Sequence, residues 1–439
     1  MEWDRRALAV LEALHNGGHR AVLVGGCVRD SLLGIPLHDY DACTSALPEE
    51  IKAACRGFRC VDTGIRHGTV TVISEGLPVE VTTFRTESGY SDHRRPDRVE
   101  FTDDLTLDLG RRDFTINALA WEPHGITDPW GGQADLQQRC IRCVGDPDRR
   151  FEEDALRILR GLRLAAQLEF TIDGPTTAAI HSHAGDLGLV AWERISGEFV
   201  RLLCSPGAEQ ILLDYPDVVG VVLPELAPAM GFDQHTPHHV YDVYTHCVKA
   251  LSAVPPTPVL RLAALLHDVG KPPVFSMDEH GTGHFYNHVP AGLPLAEQAL
   301  TRLRLDTRTR EQVLLLIQHH HLPVECSRKW VGRWLSRLGE DIFFDLLALK
   351  QADSAACAPH PEEDRLLTKV EALARNYLTE KPCLSLKELA VNGRDAMEAG
   401  LRGRSIGLAL RSLLDRVAQG ELQNDRSILL GELKKASPN

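Results

Sequence analysis

The sequence lacks the features of a membrane protein and of a secreted, disulfide-bonded protein. No apolar run in its 439 residues approaches the ~20 residues that a membrane-spanning helix requires. An acidic residue precedes the basic pair Arg5-Arg6 and no small-residue cleavage pattern follows, so we expect no secretory signal. The 11 cysteines are odd in number and include no pair of Cys-x-x-Cys motifs of the zinc-binding kind. These absences predict a cytoplasmic protein with reduced thiols and no membrane partner.

Charge and length set broad limits on the class of protein. The net charge of −13 argues against a general nucleic-acid coat protein. A local basic groove stays open, because phosphate contacts depend on where the positive charges lie. A chain of this length is expected to hold roughly two to four domains with ample hydrophobic core.

A glycine pair follows a short apolar segment near the N-terminus. Residues 21–24 are apolar and β-branched, which predicts a buried strand. The strand leads into Gly25 and Gly26, where the missing Cβ atoms let the backbone approach a ligand closely. We expect a short helix from about Val28, with Arg29 in its first turn.

Two aspartates one residue apart come next and are the most informative residues of the chain. If residues 37–42 are extended, Asp39 and Asp41 point to the same face, because side chains of a strand alternate. Such a pair suits divalent cations shared with a bound triphosphate. Two metals about 4 Å apart can activate a hydroxyl and stabilise a leaving pyrophosphate. The pattern predicts a nucleotidyl transferase.

Asp-x-Asp alone is common in turns and Gly-Gly alone is weak, but their order and spacing are far more specific. From the glycine pair through Asp39 and Asp41 to Glu50, the sequence resembles the DNA-polymerase-β-like nucleotidyltransferases. Within them it resembles the class II tRNA nucleotidyltransferases, or CCA-adding enzymes. The resemblance implies addition of C, C and A to tRNA from CTP and ATP, with Asp39 and Asp41 holding Mg²⁺. Gly25, Gly26 and Arg29 are implied to hold the triphosphate.

A third carboxylate is predicted on a neighbouring strand. Residues 67–73 and 78–84 alternate like strands that flank a turn at Glu75-Gly76. Glu80 faces away from the apolar positions of the second strand, so it could be a third metal ligand. The alternative is a solvated edge-strand glutamate. The resemblance favours the ligand, because it implies a carboxylate in this region.

The next segment, residues 85–100, is polar and aperiodic, which predicts a mobile loop. Within it, residues 91–96 resemble the flexible loop that CCA-adding enzymes use when they switch to ATP. This resemblance argues against an enzyme that adds only CC, because such enzymes are expected to lack the loop. A generic solvated loop would look similar.

Residues 109–120 resemble the second signature of the same family. From the residues alone, the pair Arg111-Arg112 followed by Asp113 fits an ordinary helix start. The resemblance implies that Arg112 contacts the triphosphate. It also implies that Asp113 accepts a hydrogen bond from the ribose 2′-hydroxyl and so favours ribonucleotides.

A helical pattern begins at Arg149 and carries charged residues at threefold spacing, which lie along one stripe of a helix. The stripe consists of Asp154, Arg157, Arg160 and Arg163. It fits a surface stripe with one ion pair worth ~0.2–0.5 kcal/mol. We nevertheless expect an anion there, because three arginines on one stripe repel one another.

Residues 153–157 also match the base-reading motif of the family. The resemblance implies that protein groups replace a nucleic-acid template. Asp154 would accept from the exocyclic amine of cytosine or adenine, and Arg157 would donate to a ring acceptor. Arg160 and Arg163 would support the base or the phosphates.

A second constellation, rich in histidine, begins after residue 231. His246 lies on a predicted helix, and the apolar segment 262–266 ends in His267-Asp268. The order His, His-Asp and a later Asp353 resembles the HD phosphohydrolases. The resemblance implies that these four side chains bind one metal, while His288 and His320 would ligate a second metal or contact phosphate. Imidazole and carboxylate together suit Ni, Mn, Co, Fe or Zn better than Mg alone.

The expected fold is α+β. A polymerase-β-like head with a small mixed sheet is followed by an all-α neck, HD body and tail. We predict boundaries at 1–140 for the head, 141–230 for the neck, 231–360 for the HD domain and 361–439 for the tail. The tail resembles the module by which bacterial CCA-adding enzymes bind tRNA. A capping helical bundle fits its residues equally well.

Several alternatives remain open at this stage. An A-adding tRNA nucleotidyltransferase or a poly(A) polymerase would use the same head. An HD phosphohydrolase with an RNA-binding head is a different class of alternative, and a non-enzymatic RNA-binding scaffold is the weakest. The expected partners are tRNA, CTP and ATP, without DNA. A metal-dependent phosphohydrolase activity at the HD site, including on 2′,3′-cyclic phosphates, is implied by the family.

Overall fold

A computed structural model describes residues 2–89 and 98–436 of the chain. The chain divides between Pro224 and Glu225 into two compact units. None of the helices within the described residues combines the length and apolar character needed to cross a membrane.

The first unit is built on a seven-stranded mixed sheet. In chain order the strands of the whole unit are β1 (Ala21–Val24), β2 (Tyr40–Thr44), β3 (Arg59–Gly64), β4 (Thr69–Ser74), β5 (Leu77–Thr83), β6 (Arg85–Ser88), β7 (Arg98–Phe101), β8 (Ala120–Glu122), β9 (Gly125–Thr127), β10 (Cys140–Ile141) and β11 (Thr171–Ile172). The large sheet has the order β3-β4-β5-β2-β1-β8-β9, and the remaining strands form two short ladders. Only β2 and β5 pair in parallel within the large sheet.

Helices cover the sheet and extend the first unit towards its C-terminal end. They are α1 (Arg5–Asn16), α2 (Gly26–Leu33), α3 (Pro48–Ala54), α4 (Leu105–Gly110), α5 (Gly132–Gln137), α6 (Pro147–Glu153), α7 (Leu156–Leu168), α8 (Gly174–His183), α9 (Trp192–Leu203), α10 (Ala208–Asp214) and α11 (Pro216–Val222). The most amphipathic pair, α7 and α9, pack together through leucine, isoleucine and phenylalanine side chains. The predicted α+β fold is confirmed.

The glycine pair lies where the sequence predicts, but the helix after it begins earlier than expected. Strand β1 is buried at all four positions. Helix α2 begins at Gly26, two residues before Val28, because Gly25 takes the N-cap position with φ 74°. Arg29 is in the first turn of α2, as predicted.

The predicted hairpin of β4 and β5 is confirmed. Its turn residues Glu75 and Gly76 have φ of 45° and 82°, which is the left-handed geometry favoured by two-residue hairpin turns. In β5, Val79 and Val81 are fully buried while Glu80 between them is exposed.

The prediction of an aperiodic loop over residues 85–100 is wrong at both ends. Strands β6 and β7 pair there as an antiparallel ladder. Charged residues two apart share a strand face and pair with each other: Arg85 with Glu87 at 2.7 Å and Arg98 with Glu100 at 2.5 Å. This ladder therefore forms without the apolar alternation on which the prediction relied. Residues 91–96, to which the family likeness was attached, lie outside the described residues.

The second unit is helical apart from one short ladder. Its elements are α12 (Val243–Ala253), α13 (Pro258–Leu266), β12 (Ser276–Met277), β13 (Gly283–His284), α14 (His288–Arg302), α15 (Thr307–His319), α16 (Arg328–Leu338), α17 (Glu340–Ala355), α18 (Pro361–Thr379), α19 (Gly393–Glu398), α20 (Arg404–Ala418) and α21 (Arg426–Lys435). His246 is on α12, and His267 directly follows α13, as predicted. The helical prediction for the C-terminal region is confirmed as far as residue 436.

Gly270 allows the turn after His267-Asp268 to pack against the start of α14. A Cβ atom at Gly270 would lie 2.1 Å from the carbonyl oxygen of His288 and 2.4 Å from the backbone nitrogen of Gly292. Neither backbone group can move without shifting α14. We therefore expect Gly270→Ala to lower the free energy of unfolding by about 2–3 kcal/mol, measured by denaturant titration.

Gly407→Ala is the matched control for this substitution. Gly407 is exposed on α20, and a Cβ atom there would have no neighbour within 4 Å. Alanine favours a helix by up to about 1 kcal/mol over glycine, so this variant should be as stable as the wild type or slightly more stable. Equal stability of the two variants would show that the turn at Gly270 tolerates a side chain.

Candidate active sites

An open cleft of about 810 Å³ in the first unit is lined by all nine residues predicted to bind nucleotide, whereas Asp39 and Glu80, two of the three predicted catalytic carboxylates, are not part of its lining. Four acidic residues line it, namely Asp41, Glu87, Asp113 and Asp154. Eight arginines also line it: Arg29, Arg85, Arg111, Arg112, Arg157, Arg160, Arg163 and Arg194. Gly25 and Gly26 form part of the wall. The excess of guanidinium groups suits a polyanionic ligand such as a triphosphate.

Asp41 and Glu80 occupy matching positions on the two parallel strands. Their Cα atoms are direct partners in the register of β2 and β5, so their side chains lie on the same face of the sheet. Asp39 precedes β2, which begins at Tyr40 rather than at residue 37. Among residues 2–89 and 98–436, no donor is hydrogen-bonded to the carboxylates of Asp39, Asp41 or Glu80.

The electrostatics of Asp41 fit a cation site. Loss of water inside the cleft raises the pKa of Asp41; Arg112 opposes this effect, and the negative charges of Glu80 and Asp39 add to it. Carboxylates that repel one another and have no protein donor can gain from a divalent cation between them. The residues present therefore fit hard divalent metals.

Gly25 lies close to both Arg112 and Asp41. Its φ of 74° belongs to the left-handed region, and a Cβ atom there would lie 3.0 Å from Nη1 of Arg112 and 3.9 Å from Oδ2 of Asp41. A side chain at this position would occupy the space between the arginine and the carboxylate. Glycine keeps that space free.

A chain of polar contacts links Arg29 to Asp113 through Asn117. Nη1 of Arg29 donates to Oδ1 of Asn117 at 2.7 Å, and Nδ2 of Asn117 donates to Oδ1 of Asp113 at 3.1 Å. Arg160 donates to the other oxygen of Asp113 at 2.8 Å. Burial alone would raise the pKa of Asp113, but Arg160, Asn117 and Arg157 outweigh it and hold that pKa well below its usual range. Asp113 is therefore an ionised, fixed acceptor.

Asp154 does not lie on the helix that carries the three arginines. It ends α6 with φ −152° and ψ 101°, and α7 begins at Leu156. Its carboxylate instead pairs with both terminal nitrogens of Arg194, at 3.2 and 2.7 Å. The single stripe predicted from threefold spacing is wrong in this respect, because the chain breaks between two short helices.

The arginines of α7 do not need a bound anion to offset their mutual repulsion. Each has an acidic partner of its own: Arg157 with Glu153 at 2.6 Å, Arg160 with Asp113 at 2.7 Å and Arg163 with Glu198 at 2.5 Å. The repulsion expected from sequence is therefore offset within the protein by carboxylates, two of which lie 35 or more residues away along the chain. These pairs fix the direction of each guanidinium group at the cleft wall.

The second unit brings the four predicted HD residues together. Nε2 of His246 lies 3.2 Å from Nε2 of His267, 3.0 Å from Oδ1 of Asp353 and 3.4 Å from Oδ2 of Asp268. Nε2 of His267 lies 3.3 Å from the same oxygen of Asp268. Four ligand atoms, from α12, α17 and the turn after α13, thus converge on one point, as a metal site requires.

The other oxygen of Asp268 faces a second cluster. Oδ1 lies 3.6 Å from Nε2 of His288 and 3.7 Å from Nε2 of His320, and these two nitrogens are 3.3 Å apart. His321 belongs to the same group of potential ligands. Asp268 therefore stands between two clusters, with one oxygen directed at each.

Protonation states in this site suit metal binding. Burial lowers the pKa of His320 to about 3, so its imidazole is neutral. Burial alone would raise the pKa of Asp268, but His267 and Lys271 hold it well below its usual range. Burial would lower the pKa of His267, but Asp268 raises it, so a metal at His267 would displace a proton.

Sequence reasoning missed several residues at both sites. Arg194 reaches Asp154 only through the packing of α9 on α7, which leaves no local signal. Asn117 lies inside the second signature, and its buried position could have been suspected there. Near the HD site, Lys271 pairs with Asp268 at 2.6 Å, and Cys357 lies 3.5 Å from His239.

Three family models match successive parts of the chain. Residues 21–142 match the poly A polymerase head domain, residues 169–230 match a probable RNA and SrmB-binding site of polymerase A, and residues 238–375 match the HD domain. The mixed sheet, its paired carboxylates and the arginine-lined cleft agree with the first of these. Fold and site together define a nucleotidyltransferase that carries an HD domain.

Comparison along the whole chain gives the family. A protein named CCA-adding enzyme from Levilactobacillus brevis is 36% identical over 431 residues, covering 97% of this chain and 96% of that protein. Another from Lacticaseibacillus paracasei has the same identity, and the match covers 97% of this chain and 95% of that protein. The crystal structure of the Bacillus stearothermophilus CCA-adding enzyme in complex with CTP matches with a TM-score of 0.75 and 28% identity, covering 98% and 96%. The chain belongs to the family of CCA-adding enzymes.

Proposed function

We propose that the chain adds C, C and A to the 3′ ends of tRNA from CTP and ATP, in the cytoplasm and without a nucleic-acid template. The observation that carries this function is the arginine-lined cleft that contains Asp41, whose register partner on the neighbouring strand is Glu80. Relatives that match almost the whole chain are named CCA-adding enzymes. Their names disfavour an A-only enzyme, a poly(A) polymerase and a pure HD hydrolase.

The catalytic roles follow from the charges in the cleft. Asp39, Asp41 and Glu80 hold Mg²⁺, and Arg29 and Arg112 bind the triphosphate. When bound, divalent cations activate the terminal ribose hydroxyl of tRNA and stabilise the leaving pyrophosphate. Asn117 orients Arg29 by accepting its Nη1–H. Asp113 presents its carboxylate to the ribose 2′-hydroxyl while Arg160 keeps it ionised.

Base selection rests on Asp154 and Arg157. Asp154 accepts from the exocyclic amine shared by cytosine and adenine, and Arg157 donates to a ring acceptor. Arg157 is held by Glu153 at 2.6 Å and by the carbonyl oxygen of Arg111 at 3.3 Å. Uracil and guanine present the wrong pattern of donors and acceptors. Each unsatisfied buried group costs ~1–3 kcal/mol, which is enough for discrimination.

Arg194→Ala is expected to weaken the selection of the base. The substitution removes both hydrogen bonds from Arg194 to the Asp154 carboxylate and leaves the one from the backbone N–H of Leu156. We expect the preference for CTP over UTP, as a ratio of kcat/KM values, to fall about tenfold, since hydrogen bonds to charged groups contribute about 1.5–3 kcal/mol. Arg201→Ala, an exposed position on the same helix, should keep the preference. An unchanged ratio in Arg194→Ala would mean that Asp154 is oriented by other groups or does not read the base.

The proposed function is tested by nucleotide incorporation into three tRNA transcripts. They end before the first C, after CC and after CCA, and each receives Mg²⁺ with labelled CTP, ATP or both. Growth of the shortest transcript by C, C and A, followed by a stop, is the expected result. Addition of a single A to the CC-ended transcript alone, or open-ended A addition, would contradict it.

A second activity is favoured by the arrangement around Asp268. We propose that the HD site holds two divalent metals, one at His246, His267 and Asp353 and one at His288 and His320, with Asp268 shared. Nitrogen and carboxylate donors together suit Mn, Fe, Co, Ni or Zn. The reaction would be hydrolysis of phosphate esters, including 2′,3′-cyclic phosphates.

The arrangement of domains is part of the same proposal. Residues 1–140 form the catalytic head, 141–230 the neck, 231–360 the HD domain and 361–439 a tail that binds tRNA. A helical tail of this kind would contact the tRNA backbone and read its shape rather than its sequence.

A further inference from the structure

An aromatic side chain stands exposed at the mouth of the HD cleft. Tyr286 lines this cleft of about 690 Å³, yet 71% of its surface is exposed. The ring of His284 stacks on it, with centroids 5.4 Å apart and planes inclined by only 10°. Nε2 of His284 in turn lies 2.9 Å from Oδ2 of Asp278. The pair is therefore a fixed, flat surface that still has room for another ring.

The position of Tyr286 relates this surface to the metal clusters. Tyr286 precedes His288 by two residues, which fully extended span at most ~7 Å. Between them, Asn287 has a left-handed φ of 64° and turns the chain into α14. The floor of the cleft is charged and polar, with Asp268, His320 and Lys350. One side of the cleft thus suits a phosphate group, and its mouth suits an aromatic ring.

We propose that Tyr286, backed by His284, stacks on the nucleobase of the HD substrate, which makes that substrate a nucleoside phosphate. Aromatic side chains bind every base through its π-face, without reading its sequence. In the hydrolysis, water adds to phosphorus, the phosphorus–oxygen ester bond breaks, and the nucleoside leaves as an alcohol with inorganic phosphate as the other product. The assignment of substrate class rests on the phosphohydrolase activity proposed above.

Matched substrates test the assignment by kinetics. Adenosine 5′-monophosphate and ribose 5-phosphate carry the same phosphate ester and differ in the base. In full-length protein with Mn²⁺ or Ni²⁺, Tyr286→Ala should raise KM for the nucleotide at least ~5-fold more than KM for the sugar phosphate. Tyr286→Phe should restore the preference. Met277→Ala, an exposed apolar position on the paired strand, is the control. Equal effects on both substrates would overturn the proposal.

Equilibrium dialysis provides a readout that does not depend on turnover. Binding of the nucleotide at the head is common to all variants, so the difference between Tyr286→Ala and wild type reports the HD cleft. We expect the variant to lose one weak nucleotide site per chain. An unchanged binding isotherm would refute the proposal that Tyr286 stacks on the base. If wild-type protein hydrolyses neither substrate, the phosphohydrolase activity fails, while dialysis still decides whether Tyr286 binds a base.

A third substrate distinguishes the two sources of a nucleoside phosphate. An RNA trinucleotide with a 3′-phosphate stands for an RNA end, and adenosine 5′-monophosphate stands for free nucleotide. Hydrolysis of both substrates should depend on Tyr286. The substrate with the higher kcat/KM identifies the source of nucleoside phosphate that the cleft prefers. Dependence of neither substrate on Tyr286 would again count against the proposal.

Discussion

Asp41→Asn is expected to reduce nucleotide incorporation by at least ~100-fold, the scale found when a group that stabilises developing charge is removed. Asn is nearly isosteric but neutral, so it cannot supply the negative charge that a divalent cation requires. Asp41 is the carboxylate that is in register with Glu80 and lies close to Gly25. The measurement is single-turnover addition of labelled C to a transcript that ends before the first C.

The same substitution should leave the fold intact or stabilise it. The folded-state pKa of Asp41 is raised, so its charge opposes folding at pH values above its ordinary pKa. Removing the charge removes this cost at neutral pH. Asp62→Asn, an exposed aspartate on β3 of the same sheet, is the control and should retain incorporation. Near-normal incorporation by Asp41→Asn would assign the metal to other carboxylates.

Individual strands and turns of the head could be predicted, because each is specified by its own short stretch of sequence. The apolar run of β1, the alternation around Glu80 and the glycine pair each appear within ten residues of sequence. The α2 boundary was misjudged by two residues, because a glycine can cap a helix at a φ that other residues avoid. The sequence does not predict the β6–β7 ladder, because its strands carry charge pairs, one within each strand, instead of an apolar face.

The partners of charged residues were the part that sequence could not supply. Arg160 and Arg163 pair with Asp113 and Glu198, which lie 47 and 35 residues away, so no periodicity could reveal the pairs. The spacing of Asp154 from Arg157 predicts that both lie on one helix, but the chain leaves the helical conformation at Asp154. The four predicted HD residues do come together, and their order along the chain, with adjacent His267-Asp268 after an apolar segment, is what carries the resemblance to the HD phosphohydrolases.

Asp268→Asn is expected to abolish phosphate-ester hydrolysis at the HD site, with a loss of at least ~100-fold, and to leave CCA addition near its wild-type rate. The reason is geometric: Oδ2 faces His246 and His267, and Oδ1 faces His288. One neutralised side chain therefore removes a charged ligand from both clusters. Hydrolysis of a phosphate ester is measured with Mn²⁺ or Ni²⁺, and CCA addition is measured with Mg²⁺ on the same preparation.

Metal content distinguishes a shared ligand from a structural role. The count is made in an Asp41→Asn background, which removes the proposed head metal site. Protein loaded with Mn²⁺ and desalted should then hold two ions per chain with the HD site intact, one with His288→Gln and fewer than one with Asp268→Asn. Asp341→Asn, an exposed position on α17, should retain two. Asp268→Asn also deprives Lys271 of its 2.6 Å partner, although Gln234 still accepts from it at 2.8 Å, so thermal unfolding must accompany the assay. Full metal content in a folded Asp268→Asn would exclude the bridging role, because a neutral amide cannot hold two cations in place of a carboxylate.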